Sequence, residues 1–231
     1  WTMCATATAI LHWNAIPVFS DIEDETFNLD PNKIENKITQ RTKAILAADI
    51  FGHSCNVSQL MKIANKYNLK LITDSAQSPG SFNKDKFTGT ESHVGGFSLN
   101  YHKHIHTGEG GILVTNDGEI CERMQLIRNH GEAVVEKKGL KNLTNIIGHN
   151  FRLGEIECAI GIEQLKKLDK LIIDRQRIAR SLDKGLKDLD GLIIPKILDR
   201  NTHAYYVYGI KLDVELLKVK REKVISALEA E

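Results

Sequence analysis

The segment FSLNYHKHIHTGEGG (97–111) places one lysine among three histidines and a tyrosine, then runs into a glycine-rich turn. Lys103 is the only Lys or Arg between Lys86 and Arg123. It follows an apolar run, where partial desolvation would make its amine a usable nucleophile toward a carbonyl. A solvated loop lysine is the other reading, and Lys103 alone does not separate the two. His102, His104 and His106 alternate around it. On a strand they would share a face, as zinc ligands require, but no carboxylate or cysteine stands beside them at ligand spacing. Loop histidines beside a polar pocket are the preferred reading, and no metal is expected. Asp74 closes the apolar run LKLIT, at the edge where open α/β sheets bind ligands. A carboxylate there needs a pair, a hydrogen bond or a ligand cation, or it caps the turn SAQSPG. Gln77 lies three residues on and could face the same cleft. Ser98, five residues before Lys103, could donate to an anion or bond to backbone.

These residues need elements to position them. Residues 16–20 (IPVFS) read as a short strand, and Asp30-Pro31 as the cap and first residue of a short helix reaching about Ile38. KAILAADIF (43–51) is a nearly continuous apolar run, as a strand buried on both faces shows. Leu60, Ile63, Ala64 and Tyr67 follow helical spacing. Strands are expected at 69–73, 94–99 and 111–115, and then a helix capped by Asp117 that carries Ile120, Met124 and Ile127. This alternation predicts a parallel or mostly parallel sheet covered by helices. From Gly154 to about Asp188 the pattern is helical, as two helices or one long connector, and HAYYVYGIKLD (203–213) alternates like a strand of a different layer. A domain boundary is placed near residue 170.

The chain has 231 residues, with 31 Lys plus Arg against 30 Asp plus Glu. Without a basic excess, nucleic acid has no electrostatic claim on it. No apolar run approaches the roughly 20 residues that cross a bilayer, and no signal-peptide pattern opens the chain. Cys4, Cys55, Cys121 and Cys158 are scattered, which fits buried, reduced thiols in a cytoplasmic protein better than a disulfide frame or a zinc site. The opening at Trp1 without Met and the ending ALEAE inside a helix-like stretch lead us to expect a fragment.

The blocks TDSAQSPGS (73–81), GFSLNYHKHIHTGEGGILVTND (96–117), RNHG (128–131) and GHNFRLGEIECAIGIEQLKKLD (148–169) resemble, in order and spacing, the DegT/DnrJ/EryC1/StrS family of sugar aminotransferases. The upstream TMCATATAILHWNAIPVFSDIEDETFNLD is similar to the same family's region. Each block alone is weak; their ordered combination over nearly the whole chain is specific. The resemblance implies an α/β protein of the fold type I transferases that depend on pyridoxal 5'-phosphate (PLP). In this fold a mostly parallel central sheet is covered by helices. Residues 1–170 would form the large cofactor-binding domain, and 171–231 the connector and the start of a smaller C-terminal α+β domain.

The resemblance also implies roles. Lys103 matches the lysine that carries PLP covalently and moves protons. Asp74 matches the carboxylate paired with the pyridine nitrogen, Gln77 the amide near the ring hydroxyl, and Ser98 a phosphate-binding hydroxyl. Asn150 matches an asparagine that reaches the cofactor of the neighbouring subunit, so a homodimer with shared sites is implied. Met3 stands where many members stack an aromatic on the ring; a thioether can also pack on a π-face. Asn56 stands where aspartate is usual. The implied reaction moves an amine from glutamate to a nucleotide-linked keto-sugar, in amino-sugar or surface polysaccharide biosynthesis. A dehydratase branch carries histidine at the lysine position, and counting back from GEGG puts Lys103 there instead. A non-catalytic protein of the same fold, a dehydratase and a zinc protein are the competing readings. Asn150, Arg152, His130 and Tyr101 are candidates for lining the pocket.

Overall fold

The computed structural model describes residues 1–131 and 146–231. Helix α1 (Cys4–His12) leads into an irregular stretch. Strand β1 (Ala44–Ala48), helix α2 (Val57–Lys66) and strand β2 (Lys70–Asp74) form a β-α-β unit. A small hairpin, β3 (Phe82–Asn83) and β4 (Lys86–Phe87), precedes β5 (Val94–Ser98) and β6 (Gly111–Val114). Helix α3 (Gly118–Arg128) comes next, then α4 (Glu155–Leu165) and α5 (Leu168–Leu186). The last part holds the pair β7 (Leu192–Ile193) and β8 (Lys211–Leu212), with α6 (Val214–Leu217) and α7 (Arg221–Glu229).

The central sheet has the order β1-β2-β5-β6. β1, β2 and β5 run parallel, while β6 returns antiparallel to β5, so the sheet is mixed at that edge. Its core forms where Leu60, Ile63 and Ala64 of α2 meet Ile45, Ala47 and Leu71, because helical spacing puts those three on one stripe. Asn56, the departure from aspartate, caps α2 by accepting from the Gln59 N–H at 3.2 Å. One face of β1 is buried and the other only half-buried, not closed on both sides as its run of apolar residues suggested. A second core joins Leu99 and Ile105 to Leu168 and Ile172 of α5 and to Ala204.

Further expectations are corrected. Cys55 is buried as expected, but Cys121 is half-buried and Cys4 and Cys158 are exposed. Residues 16–20 form no strand, and Ile16 and Phe19 are exposed. A β-rich run becomes a strand only where a neighbour takes up its backbone groups, and the nearest bridge is Ile22 with Leu29. Asp30 does cap a turn, accepting from the Asn32 N–H at 2.9 Å, but the capped segment consists of two 3-10 turns, Pro31–Lys33 and Glu35–Lys37. In 203–213 only Lys211–Leu212 is strand. The Ala204 and Tyr206 N–H groups donate to the carbonyls of Gly52 and Phe51, each at 2.8 Å, so this backbone is committed to a loop at the sheet edge.

Candidate active site

Parallel strands end at a common edge, and the pairings Ala48 with Asp74 and Asp74 with Gly96 set that edge here. Asp74 ends β2 half-buried, with Oδ1 accepting from the Ala76 N–H at 3.1 Å and Oδ2 from the Thr6 hydroxyl at 2.7 Å. Thr6 thereby ties the start of α1 to the sheet edge. No Lys or Arg pairs with Asp74 among the described residues. Its charge is held by two neutral donors and is open to a further cationic one.

Gln77 lies just past the strand end. Its Oε1 accepts from the Phe51 N–H at 2.7 Å. A backbone N–H can only donate, so the amide oxygen must face Phe51 and its NH2 faces away. Phe51 adopts a left-handed backbone (φ 58°), unusual for a bulky residue, and Gly52 comes next with φ 107°. A Cβ on Gly52 would lie 2.8 Å from the Tyr205 nitrogen and 3.1 Å from the Gln77 carbonyl oxygen. Only glycine lets three chain segments meet there.

Ser98 ends β5, and its hydroxyl accepts from the Asn100 N–H at 3.2 Å. The Asn100 side chain accepts from the His102 N–H at 3.1 Å, and its carbonyl from the Lys103 N–H at 2.9 Å. Thr107 N–H then donates to Leu99 at 3.0 Å, and Ser98 pairs with Gly111 across the turn. This closed loop presents Lys103 half-buried, with Nζ 4.4 Å from the centroid of the Tyr206 ring.

The three histidines do not converge. His102 is exposed and packs on Tyr101 at 3.8 Å between ring centroids. His104 is buried and donates from Nε2 to the Ala204 carbonyl at 3.0 Å. The buried Nδ1 atoms of His104 and His106 have no hydrogen-bond partner among the described residues. Burial lowers His104 to about 4, against the push of its Ala204 bond, so the ring is neutral at pH 7. His53 and His203, whose rings lie 5.6 Å apart behind the site, are held down to about 4 and about 3, chiefly by burial.

Asp74, Gln77, Ser98 and Lys103 are thus gathered at one edge by the strands, Phe51 and Tyr206. Met3 is the exposed cap of α1, one turn ahead of Thr6. Asn150 is not part of this group. It pairs with Asn129, is exposed, and sits between His149 and Phe151, whose rings stack at 4.9 Å. His149 lies 5.5 Å from His12, at the far end of α1 and about 9 Å along the helix from Thr6. Arg152 donates to Asn129, and the His130 N–H to the His149 carbonyl at 3.0 Å, so both stay on that strip. Tyr101 is exposed beside the loop.

Sequence reasoning missed Asp49, Thr6, Phe51 and Tyr206. Asp49 is fully buried: Oδ1 accepts from the Cys55 N–H at 2.8 Å, and Oδ2 from the Ser75 hydroxyl at 2.6 Å. Burial pushes its carboxyl up to about 6. Its place at the end of an apolar run is the same signal that marked Asp74. The aromatic run AYYVY could have flagged Tyr206.

A family model for the DegT/DnrJ/EryC1/StrS aminotransferases matches residues 1–231. The chain is 32% identical to the GDP-perosamine synthase of Caulobacter vibrioides, over 99% of this chain and 61% of that protein. It superposes on Helicobacter pylori PseC, an aminotransferase of pseudoaminic acid biosynthesis, with TM-score 0.85 and 33% identity, over 97% of this chain and 59% of that one. An E. coli GDP-4-keto-6-deoxy-D-mannose-3-dehydratase with bound hydrated PLP superposes with TM-score 0.87 and 28% identity, over 100% of this chain and 62% of that one. The chain spans about three fifths of the length of the curated relatives it matches. With the family's match running from end to end, this chain belongs to the DegT/DnrJ/EryC1/StrS aminotransferase family.

Proposed function

We propose that the chain carries the ring-side half of the PLP site of a sugar-nucleotide aminotransferase. One observation carries the reading: Lys103 and Asp74, a half-buried amine and a carboxylate without a cation partner, are built to the same sheet edge around Gln77. The donor set fits the cofactor. Asp74 has acceptor capacity left that would take a ring N–H, the Gln77 NH2 is turned away from Phe51 and would be free to meet a ring hydroxyl, and the Ser98 hydroxyl at the strand end would serve as a neutral donor to a phosphate. When bound, PLP supplies an electron sink that makes the C–H bond beside an attached amine acidic. Lys103 would hold the cofactor covalently and, with its amine free, take and return the proton at the substrate carbon. Asp74 would keep the ring nitrogen protonated, with Thr6 and the Ala76 N–H fixing its orientation.

The amino donor in this reading is glutamate, and the acceptor is a nucleotide-linked keto-sugar. Support comes from the relatives, which include GDP-perosamine synthases and a transaminase named for a UDP-linked amino sugar. The active form is proposed as a cytoplasmic homodimer with Asn150 serving the partner's site. The exposed His12, Trp13 and Phe151, packed around half-buried His149, support a subunit contact there. No helix among the described residues is long and apolar enough to cross a membrane. A division near residue 170 into a large cofactor domain and the start of a smaller one completes the proposal. A dehydratase reading is favoured less, because Lys103 stands where that branch has histidine.

Borohydride reduction of the full-length protein with PLP, followed by mass mapping, should fix the adduct on Lys103. Glutamate should then bleach the unreduced visible band. An adduct elsewhere, or none, would overturn the reading in favour of a non-catalytic protein.

A further inference from the structure

Lys103 has no carboxylate within ion-pair reach among the described residues. Its Nζ stands instead over the face of Tyr206, 4.4 Å from the ring centroid. The backbone that carries this ring is tied down. The Tyr206 N–H donates to the Phe51 carbonyl at 2.8 Å, and the Phe51 N–H holds Gln77. Two residues earlier, Ala204 is tied twice: its N–H donates to Gly52 at 2.8 Å, and its carbonyl accepts from His104, the neighbour of Lys103. The His104 ring lies 5.8 Å from Tyr206. Tyr205, between these anchors, is buried with a left-handed backbone (φ 49°), and its carbonyl takes the Arg175 guanidinium at 2.9 Å. A bulky residue keeps such a conformation only where its surroundings fix it.

We propose that Tyr206 is a positioning residue for Lys103, its ring face being the seat of the Lys103 ammonium whenever that amine is not bonded to cofactor. This role deepens the functional reading above and rests on it. An aromatic face attracts a cation without neutralising it or supplying a competing base. A carboxylate at that place would hold the ammonium much more firmly, and an apolar side chain would not hold it at all. Because the same backbone is bonded to Phe51, the seat is set relative to Gln77. The amine therefore rests at a fixed place from which it can return to the cofactor.

The test uses cofactor-free full-length protein labelled with acetic anhydride at one pH, with the rate at each lysine read by mass. Lys66, which lies over Tyr67 at 5.0 Å and pairs with Glu35, is the internal reference. Tyr206→Leu should raise Lys103 labelling two- to five-fold relative to Lys66, as expected for a partly exposed cation–π contact of about 0.5–1 kcal/mol. Tyr206→Phe should restore the wild-type rate, and Tyr206→Trp, with the stronger face, should slow labelling. Equal rates in the Leu, Trp and wild-type proteins, or a Phe variant that behaves like Leu, would overturn the proposal. If Tyr206→Leu misfolds, seen as exposure of the buried Cys55 thiol, the Trp-against-Tyr comparison decides. Failure of wild-type protein to form the PLP adduct on Lys103 would instead sink the functional reading, so the two fail separately.

Discussion

Asp49 and Asp74 end neighbouring parallel strands, linked by an Asp49 N–H bond to the Asp74 carbonyl at 2.9 Å, yet they have opposite fates. Asp49 is sealed inside, with both oxygens taken by Ser75 and Cys55. Asp74, one strand over, is half-buried and keeps capacity for an outside donor. Position on a sheet edge therefore does not make a carboxylate a ligand. What decides is whether the next turn folds back over it. The turn 50–55 folds over Asp49 and closes it off, whereas the turn after Asp74 gives its carboxylate only the Ala76 N–H, and α1 adds a single hydroxyl from Thr6.

Truncating each carboxylate tests this contrast most severely. Asp74→Ala should weaken cofactor binding about ten- to a hundred-fold, the worth of a charge-assisted hydrogen bond, with little change in melting temperature; PLP titration by absorbance reads it. Asp49→Ala should do the reverse, retaining the Lys103 adduct while losing about 1–3 kcal/mol of stability for each donor left unpaired, read by denaturant melts.

Acid sets the buried interior apart from the open edge as well. His53, His104 and His203 are held below their ordinary value of 6.5, so the folded state binds fewer protons than the unfolded one. Their contribution is present above pH 6.5 and is lost as pH falls toward 4. Asp49, raised from 3.8 to about 6, works the other way: it favours folding at low pH and loses that contribution as pH rises through 6. With three groups against one, stability should fall between pH 6.5 and 4. It should fall more steeply in Asp49→Asn, which lacks the opposing group. A shallower slope in that variant would contradict the assignment. The smallest effect is expected from Thr6→Val, which removes one neutral donor from Asp74 and should weaken PLP binding about two- to ten-fold.

The contrast also marks how far the sequence could be read. β1, α2, β2, β5, β6 and the cap at Asp117 follow from apolar spacing and capping chemistry, because each is decided within a dozen residues. Lys103, Asp74, Gln77 and Ser98 could be picked out by their order along the chain. The segments ADIF and TDSA look alike, however, and nothing local tells which aspartate will be covered. The same limit explains residues 16–20 and 203–213. Their β-rich composition was legible, but whether a neighbouring strand takes up the backbone is decided elsewhere in the chain, and Ala204 and Tyr206 are bonded instead to Gly52 and Phe51. Tyr206 matters through contacts with Phe51 and Lys103, neither of which is its sequence neighbour.

The stitch between the 50s and the segment near 200 has a consequence for how the protein is made. Leu198 N–H donates to His53 Nε2 across 145 residues, and Ala204 and Tyr206 close on Gly52 and Phe51 from as far away. Contacts this distant form late, since a long loop must close before they repay its entropy. A ribosome must release the chain past Tyr206 before the wall beside Lys103 can exist, although β1, α2 and β2 can pair long before. Capture of the cofactor would then report this late closure, and a nascent chain would be expected to remain colourless until the segment 204–206 has docked.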